Sequence, residues 1–214
     1  GKKVILVNCS GSAMGLAPET EVCDAILQAW YPGQAGGTAV ADVLFGDYNP
    51  AGRLPVTFYK NVSQLPDFED YTMTGRTYRY MKQSPLFAFG YGLSYTTFSY
   101  GKASLGDKSI KAGDKTSLSF TLANTGKREG DEVVQVYVRN LQDPEGPTKT
   151  LRAFRRVHLK AGEKQQVAID LPATTFEWFD THTNTLRILP GKYEVLYGGS
   201  SVEDQLNKVQ VVLK

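Results

Sequence analysis

Few residues in this sequence could ligate a metal or staple a fold. There are two cysteines, Cys9 and Cys23, and two histidines, His158 and His182. The histidines lie far from the cysteines and from each other, so no metal-ligand spacing exists and no metal site is expected. Two cysteines allow at most one disulfide. In a stretch able to form an ordinary packed core, they are expected as free buried thiols. An excess of charge of one sign is also lacking: 24 Lys and Arg face 22 Asp and Glu. Seven basic and eight acidic residues fall up to Gly92, and 17 and 14 beyond it, so neither half carries the basic footprint of a nucleic-acid binder. No apolar run approaches the roughly 18–20 residues of a membrane span, and no membrane partner is expected. The opening Gly1-Lys2-Lys3-Val4-Ile5-Leu6-Val7 is too short and strand-like for a signal peptide. It begins almost at once with a buried-type strand, which suggests a piece of a longer protein. A hydrophobic content of 41% excludes disorder.

The stretch from Trp30 to Phe58 organises the chain. Upstream of it, Val4-Ile5-Leu6-Val7 reads as a strand covered on both faces. Pro18-Glu19-Thr20-Glu21 reads as a first helical turn, with Pro early and acids at the positive dipole end. A strand is expected from about Ala25 to Tyr31, closed by Pro32-Gly33. A helix opening at Gly36-Gly37-Thr38 has Ala39, Val40, Val43 and Leu44 at helical spacing and a stop at Gly46. After the Asn49-Pro50-Ala51-Gly52 turn cluster, Arg53 to Phe58 reads as a strand that Pro55 consigns to an edge. The result is β-α-β-α-β over residues 1–60, an incomplete and mostly parallel sheet of an α/β sandwich. Residues 61–94 are expected to be an ordered connector. Its aromatics, Phe68, Tyr71, Tyr78, Tyr80, Phe87, Phe89 and Tyr91, fit a surface-packed segment rather than a flexible linker. From 95 to 214 the period is two: Leu118/Phe120/Leu122, Val134/Val136/Val138, Val167/Ile169/Leu171, Tyr193/Val195/Tyr197 and Val209/Val211/Leu213. Turn clusters separate these runs, which predicts a β-sandwich of fibronectin type III character; no Cys…Trp…Cys signature is present.

Candidate chemistry is sparse. Pro32-Gly33-Gln34-Ala35-Gly36-Gly37-Thr38 could cradle a phosphate at a helix start, but the G-x-G-x-x-G pattern and the P-loop Lys are absent, so tight-turn glycines are expected and no cofactor. Gly11-Ser12-Ala13-Met14-Gly15 is a displaced version of the nucleophile elbow, with His158 and His182 as distant partners. Asp67, Glu69 and Asp70 could supply a carboxylate pair for glycoside hydrolysis, or be solvated and paired with Arg76 and Arg79. Arg152, Arg155, Arg156, His158 and Lys160 form a basic strip alternating with Leu151, Ala153, Val157 and Leu159, which reads as the wet face of a strand. Asn8-Cys9-Ser10 and Asn61-Val62-Ser63 match the glycosylation sequon. None of these is assigned as catalytic, substrate-binding or metal-ligating.

Five stretches carry a resemblance. They are Ala25–Gly37 (AILQAWYPGQAGG), Ala41–Thr57 (ADVLFGDYNPAGRLPVT), Pro85–Thr96 (PLFAFGYGLSYT), Leu151–Gly162 (LRAFRRVHLKAG) and Pro190–Val195 (PGKYEV). In that order they resemble the C-terminal part of family-3 glycoside hydrolases, with Ala88 where the family usually has Pro. The resemblance implies a parent with a (β/α)8-type barrel, an α/β sandwich and a fibronectin type III-like domain. Such a parent is a retaining exo-acting β-glycosidase, secreted or periplasmic, acting on oligosaccharides. Its nucleophile would be a barrel Asp and its acid/base a Glu of the earlier α/β sandwich. Neither matches a position here, so this chain is expected to be scaffold and inactive alone. Gly75-Arg76-Thr77-Tyr78-Arg79-Tyr80 and Ala35-Gly36-Gly37 look more like the β-xylosidase than the β-glucosidase branch. Two other classes stay open: a carbohydrate-binding or adhesion module displaying Trp178, Tyr137 and Tyr197, and a serine hydrolase.

Overall fold

The computed structural model describes residues 1–214. The first region is a fragment of a parallel sheet. Strand β1 (Ile5–Asn8) pairs in parallel with β2 (Ala25–Gln28), in register Ile5 to Ala25. Helix α1 (Ala17–Val22) bridges them, with Pro in its first turn and Glu19 beside it. Asp24 fixes the crossover by accepting hydrogen bonds from Lys3 Nζ (2.6 Å) and Val4 N (2.9 Å). Helix α2 (Gly36–Phe45) ends at Gly46, whose φ of 85° is the left-handed stop that glycine supplies without strain.

Three expectations change in this region. Arg53–Phe58 is not a sheet strand; it is extended and pairs only at Phe58, which bridges Phe87 of the connector. Pro55 removes a donor there, and the remaining backbone bonds run to 86–91 (Leu54 N to Tyr91 O, Gly90 N to Leu54 O), so the connector takes the place of a neighbouring strand. The sheet is also only half covered: Val4 and Ile5 remain nearly half exposed. The cysteines are free, as expected, but not buried; Cys9 is exposed and Cys23 half-buried. With only two strands present, the layer that would cover them is not formed by this chain.

The sandwich follows its sequence pattern closely. One sheet has the order β5 (Ser109–Ile110), β13 (Asn207–Leu213), β12 (Gly191–Gly198), β7 (Gly130–Asn140), β8 (Thr150–Leu159). The other is built on β6 (Thr116–Asn124), which pairs with β3 (Phe98–Tyr100), β4 (Ser104–Leu105) and β9 (Lys164–Leu171). A small hairpin, β10 (Glu177–Asp180) with β11 (Thr185–Ile188), caps one end. Leu118, Phe120, Leu122, Val134, Val136, Val138, Tyr193 and Val195 face inward and are almost wholly buried in one continuous core. Alternation puts one face of each strand against the other sheet, and this burial is the main stabilising term. The buried tyrosines keep their hydroxyls satisfied: Tyr193 donates to Leu189 O (2.8 Å), and Tyr197 donates to Gly101 O (2.9 Å). Burial pushes the Tyr193 hydroxyl up to about 12.

On β8 the alternation breaks. Ala153 pairs with Val136 and Leu151 with Tyr137, so Arg152 is a bulge residue without a partner. The slip turns Arg152 inward, where it is half-buried and donates to Glu177 O, while Phe154, in register with the outward-facing Arg156 and His158, is 71% exposed. The wet-face reading therefore fails at Arg152 and holds for Arg155, Arg156, His158 and Lys160, all exposed. No helix is long and apolar enough to cross a membrane.

Candidate functional site

Two features outside the sandwich core concentrate chemistry: a polar seam between the α/β region and the sandwich, and an aromatic loop.

The seam is built on the C-terminal end of α2. Val43 O accepts from the cap Gly46 N (3.2 Å) and Asp42 O from Tyr48 N (3.0 Å), and the sandwich side adds further donors at this end. Tyr95 Oη donates to Val43 O (2.6 Å), Arg128 Nη2 donates to Gly46 O (2.6 Å), and the Arg128 guanidinium lies over the Tyr95 ring at 5.6 Å. Asn49 links three segments, donating to Glu129 O (2.8 Å) and accepting from Ser94 Oγ (2.9 Å) and Tyr95 N (2.7 Å). Deeper in, Arg53 Nη2 meets Glu132 Oε2 at 3.2 Å, with the two side chains only 9% and 6% exposed. Tyr100 Oη donates to the other Glu132 oxygen (3.0 Å). Burial, and then the Glu132 charge, push the Tyr100 hydroxyl far above its usual value. At the rim, Arg156 bonds Asp131 and the Tyr48 hydroxyl, and His158 Nδ1 lies 2.9 Å from Asp131 Oδ1. Burial raises the Asp131 carboxyl, but the bonds from Arg156 and His158 outweigh it and hold it below its usual value.

The connector closes over the seam. Phe58 meets Trp30 and Phe87 edge-on, and Phe87 stacks on Tyr91. Tyr78, in α3 (Thr77–Tyr80), stacks on Phe89 at 4.3 Å and meets Tyr137 edge-on, on the outer face of the five-stranded sheet. Gly90 adopts φ 77° against the Gln135 amide, and a Cβ on Gly92 would lie 2.3 Å from Gly52 O. Glycine is required at both by close approach. The F-G-Y-G-L-S-Y-T run is thus a packing motif.

The loop between residues 60 and 77 differs from the rest of the connector. Phe68 and Tyr71 are 92% and 90% exposed and stack on no other ring. The sequence predicts packing on a surface that includes the part of the protein upstream, and on this chain alone these two rings stay uncovered. Their backbone is nevertheless well held. Asp67 Oδ1 accepts from Glu69 N (2.9 Å) and Asp70 Oδ1 from Thr72 N (2.8 Å), while Arg76 donates to the carbonyls of Thr72, Asp67 and Asp70. Hydrogen bonds from Thr72 hold the Asp70 carboxyl below its usual value. Arg76 therefore binds backbone rather than the acids, unlike the ion pairing weighed from sequence. Val62, Leu65, Pro66, Phe68, Asp70, Tyr71 and Arg76 line a groove of about 390 Å³. Flanking acids set Phe68 and Tyr71 apart from Phe87 and Phe89, whose neighbours are apolar or glycine; Tyr78, between Thr77 and Arg79, carries no such signal.

The remaining candidates are scaffold. A Cβ on Gly36 would meet the Pro32 ring at 2.6 Å, so the glycine turn serves a tight crossover. Ser10 Oγ donates to Ser12 O, and neither histidine hydrogen-bonds a serine; His182 N bonds Asp180. Trp178, Tyr137 and Tyr197 are 3%, 0% and 1% exposed, so they form no sugar-binding face. At Asn61 the side chain accepts from Ser63 N and Oγ, capping a short 3-10 turn.

Residues 1–95 match the glycosyl hydrolase family 3 C-terminal domain, and residues 132–201 match the fibronectin type III-like domain. The chain belongs to glycosyl hydrolase family 3. It is 57% identical over its whole length to a xylan 1,4-beta-xylosidase of Xylanibacter ruminicola, of which it spans 24%. To a periplasmic beta-glucosidase of Salmonella typhimurium it is 39% identical over 94% of its length, spanning 28% of that relative. Among solved structures, a β-glucosidase from Erythrobacter marinus superposes with a TM-score of 0.85 at 38% identity, over 98% of this chain and 28% of that one. A glucose complex of a Listeria innocua β-glucosidase gives 0.85 at 30% identity, over all of this chain and 31% of that one. The family-3 chain described here thus spans about a quarter of these relatives and corresponds to their C-terminal part.

Proposed function

We propose that this chain is the C-terminal scaffold of a retaining, exo-acting β-glycosidase, most closely β-xylosidase-like, that removes terminal β-linked sugars from plant oligosaccharides. The observation that carries this reading is the whole-length 57% identity to a xylan 1,4-beta-xylosidase, against 39% to the Salmonella β-glucosidase. The working protein has three units within this chain: residues 1–60 finish the α/β sandwich, 61–94 connect, and 95–214 form the sandwich that braces it. The half-covered β1–β2 sheet and the exposed Val22, Tyr31 and Phe45 fit burial against the preceding part of the protein, a barrel domain included. A retaining mechanism needs two carboxyl groups about 5–5.5 Å apart. Asp67 and Asp70 of the 60–77 loop each commit one carboxylate oxygen to their own turn, which supports placing the nucleophile and acid/base upstream. A secreted or periplasmic location fits the naming of the Salmonella relative.

The test is turnover of aryl β-xylosides and aryl β-glucosides by the full-length protein and by the 214-residue chain. The full-length protein should prefer the xyloside and the chain alone should be inert. Turnover by the chain alone would overturn the scaffold role. A preference for glucosides would favour the β-glucosidase reading, which the solved neighbours support.

A further inference from the structure

The loop carrying Phe68 and Tyr71 is the least explained part of the molecule. Exposing two large rings almost completely is unfavourable unless something covers them. The loop is also not a loose tether. Each Asp commits one carboxylate oxygen to its turn, Arg76 holds three carbonyls, and the loop's end is fixed where Tyr59 Oη accepts from Thr77 N (2.9 Å). Thr77 adopts φ 56°, a conformation a β-branched residue rarely takes, so the anchoring overrides an intrinsic preference. Rigid presentation of aromatic rings lowers the ordering cost of a binding event.

Two occupants could cover the rings: a protein face or a sugar. The chemistry between the rings separates them. The run is Asp67-Phe68-Glu69-Asp70-Tyr71, three acids interleaved with two aromatics. The centre of a dry protein interface is depleted of charge, and burying ionised carboxylates there is costly. A pyranose has the complementary pattern. Its C–H faces lie on aromatic rings while its equatorial hydroxyls donate to carboxylates that stay wet at the edge. Asp67 is exposed and commits only one carboxylate oxygen to its turn, which leaves the other free to accept such a bond. The groove of about 390 Å³ beside Tyr71 falls in the range of small-molecule sites.

We propose that the Phe68–Tyr71 loop is a sugar-binding platform for a β-linked pentose or hexose oligosaccharide, gripping a unit of the substrate beyond the one that is cleaved. The proposal rests on the glycosidase reading and adds a place on this chain where the substrate is held. No bond is made or broken there; Phe68 and Tyr71 are binding residues that set preference for chain length.

Two measurements test it. First, xylotetraose is titrated into the 214-residue chain and followed by amide NMR. Shifts should concentrate between residues 62 and 76 and vanish in Phe68→Ala/Tyr71→Ala, whose exposed positions leave the fold intact. Second, in the full-length protein the same double variant should raise KM for xylotetraose about tenfold more than KM for an aryl β-xyloside, as expected when binding beyond the cleaved unit is lost. Absence of shifts together with unchanged KM would overturn the platform. So would a fall in the thermal midpoint of the full-length variant, not shared by the chain alone, with KM unchanged; the rings would then be covered by protein. The NMR arm needs no turnover, so failure of the glycosidase reading is seen separately as an inactive full-length protein.

Discussion

Breaking the Arg53–Glu132 pair should cost more than any other single polar change at the seam. Both side chains are almost fully buried and 3.2 Å apart, and Glu132 has one further partner, the Tyr100 hydroxyl. Replacing Arg53 by Met keeps much of the volume and leaves a buried carboxylate supported by one phenol. Removing one member of a buried pair costs about 3–5 kcal/mol, because the other charge stays desolvated. Removing both, in Arg53→Met/Glu132→Leu, should cost far less than the two single changes together. The expected coupling is about 2 kcal/mol or more. The protein carries its own probes: Trp30 beside Phe58 reports the α/β side, and buried Trp178 reports the sandwich. Urea unfolding of the 214-residue chain, followed by tryptophan fluorescence, should give one transition for the native protein. Arg53→Met should shift it to lower urea or split it, with Trp30 changing first. Single-variant losses under about 0.5 kcal/mol, or strict additivity, would refute the reasoning, since a pair so well buried cannot behave as a surface ion pair.

Gly92→Ala should destabilise by about 2 kcal/mol or more, since its Cβ would press on the Gly52 carbonyl at 2.3 Å and backbone cannot give way as a flexible side chain can; thermal unfolding reads this directly. Burial pushes the Glu203 carboxyl up, but hydrogen bonds from Arg139, Lys149 and Lys208 outweigh it and hold it at about 2. A carboxyl lowered on folding contributes stability that is full above its unfolded value, near 4.3, and is lost as pH falls towards 2. The melting difference between the native chain and Glu203→Gln should therefore be present at pH 6 and close between about pH 4.5 and 2. The difference should be small, because Glu203 is 45% exposed and screened. Phe154→Ser, at the exposed edge of β8, should change stability by less than about 0.5 kcal/mol while lowering aggregation on heating, as light scattering would show.

The sandwich was legible because its period is unambiguous. Val134/Val136/Val138 and Tyr193/Val195/Tyr197 can alternate in only one way, and the buried face follows. The exceptions have local causes. The bulge at Arg152 inverts the phase of β8 without any turn residue to announce it. Arg53–Phe58 has a strand-like composition, yet its partner is a connector that no short-range pattern links to it. Glu132 reads in sequence as an ordinary acid, and only the fold brings Arg53 and Tyr100 to it across 79 and 32 residues. The aromatic connector was readable as ordered, and flanking acids mark Phe68 and Tyr71, but nothing local marks Tyr78, between Thr77 and Arg79, as a ring that stacks. The family resemblance reached further than the residue patterns, because its motifs are the glycines and aromatics of the seam, where geometry permits little variation.

The way α2 is finished matters for anyone recombining these enzymes. Its end is held by Tyr95 on Val43 O and Arg128 on Gly46 O, and Asn49 is bonded to residues 94, 95 and 129, at or beyond the last residue of the connector. A chimaera joined within residues 61–94, the obvious linker to cut, would pair a foreign helix end with the wrong set of donors. A crossover placed before Gly36 would transfer helix, connector and sandwich as one exchangeable cassette.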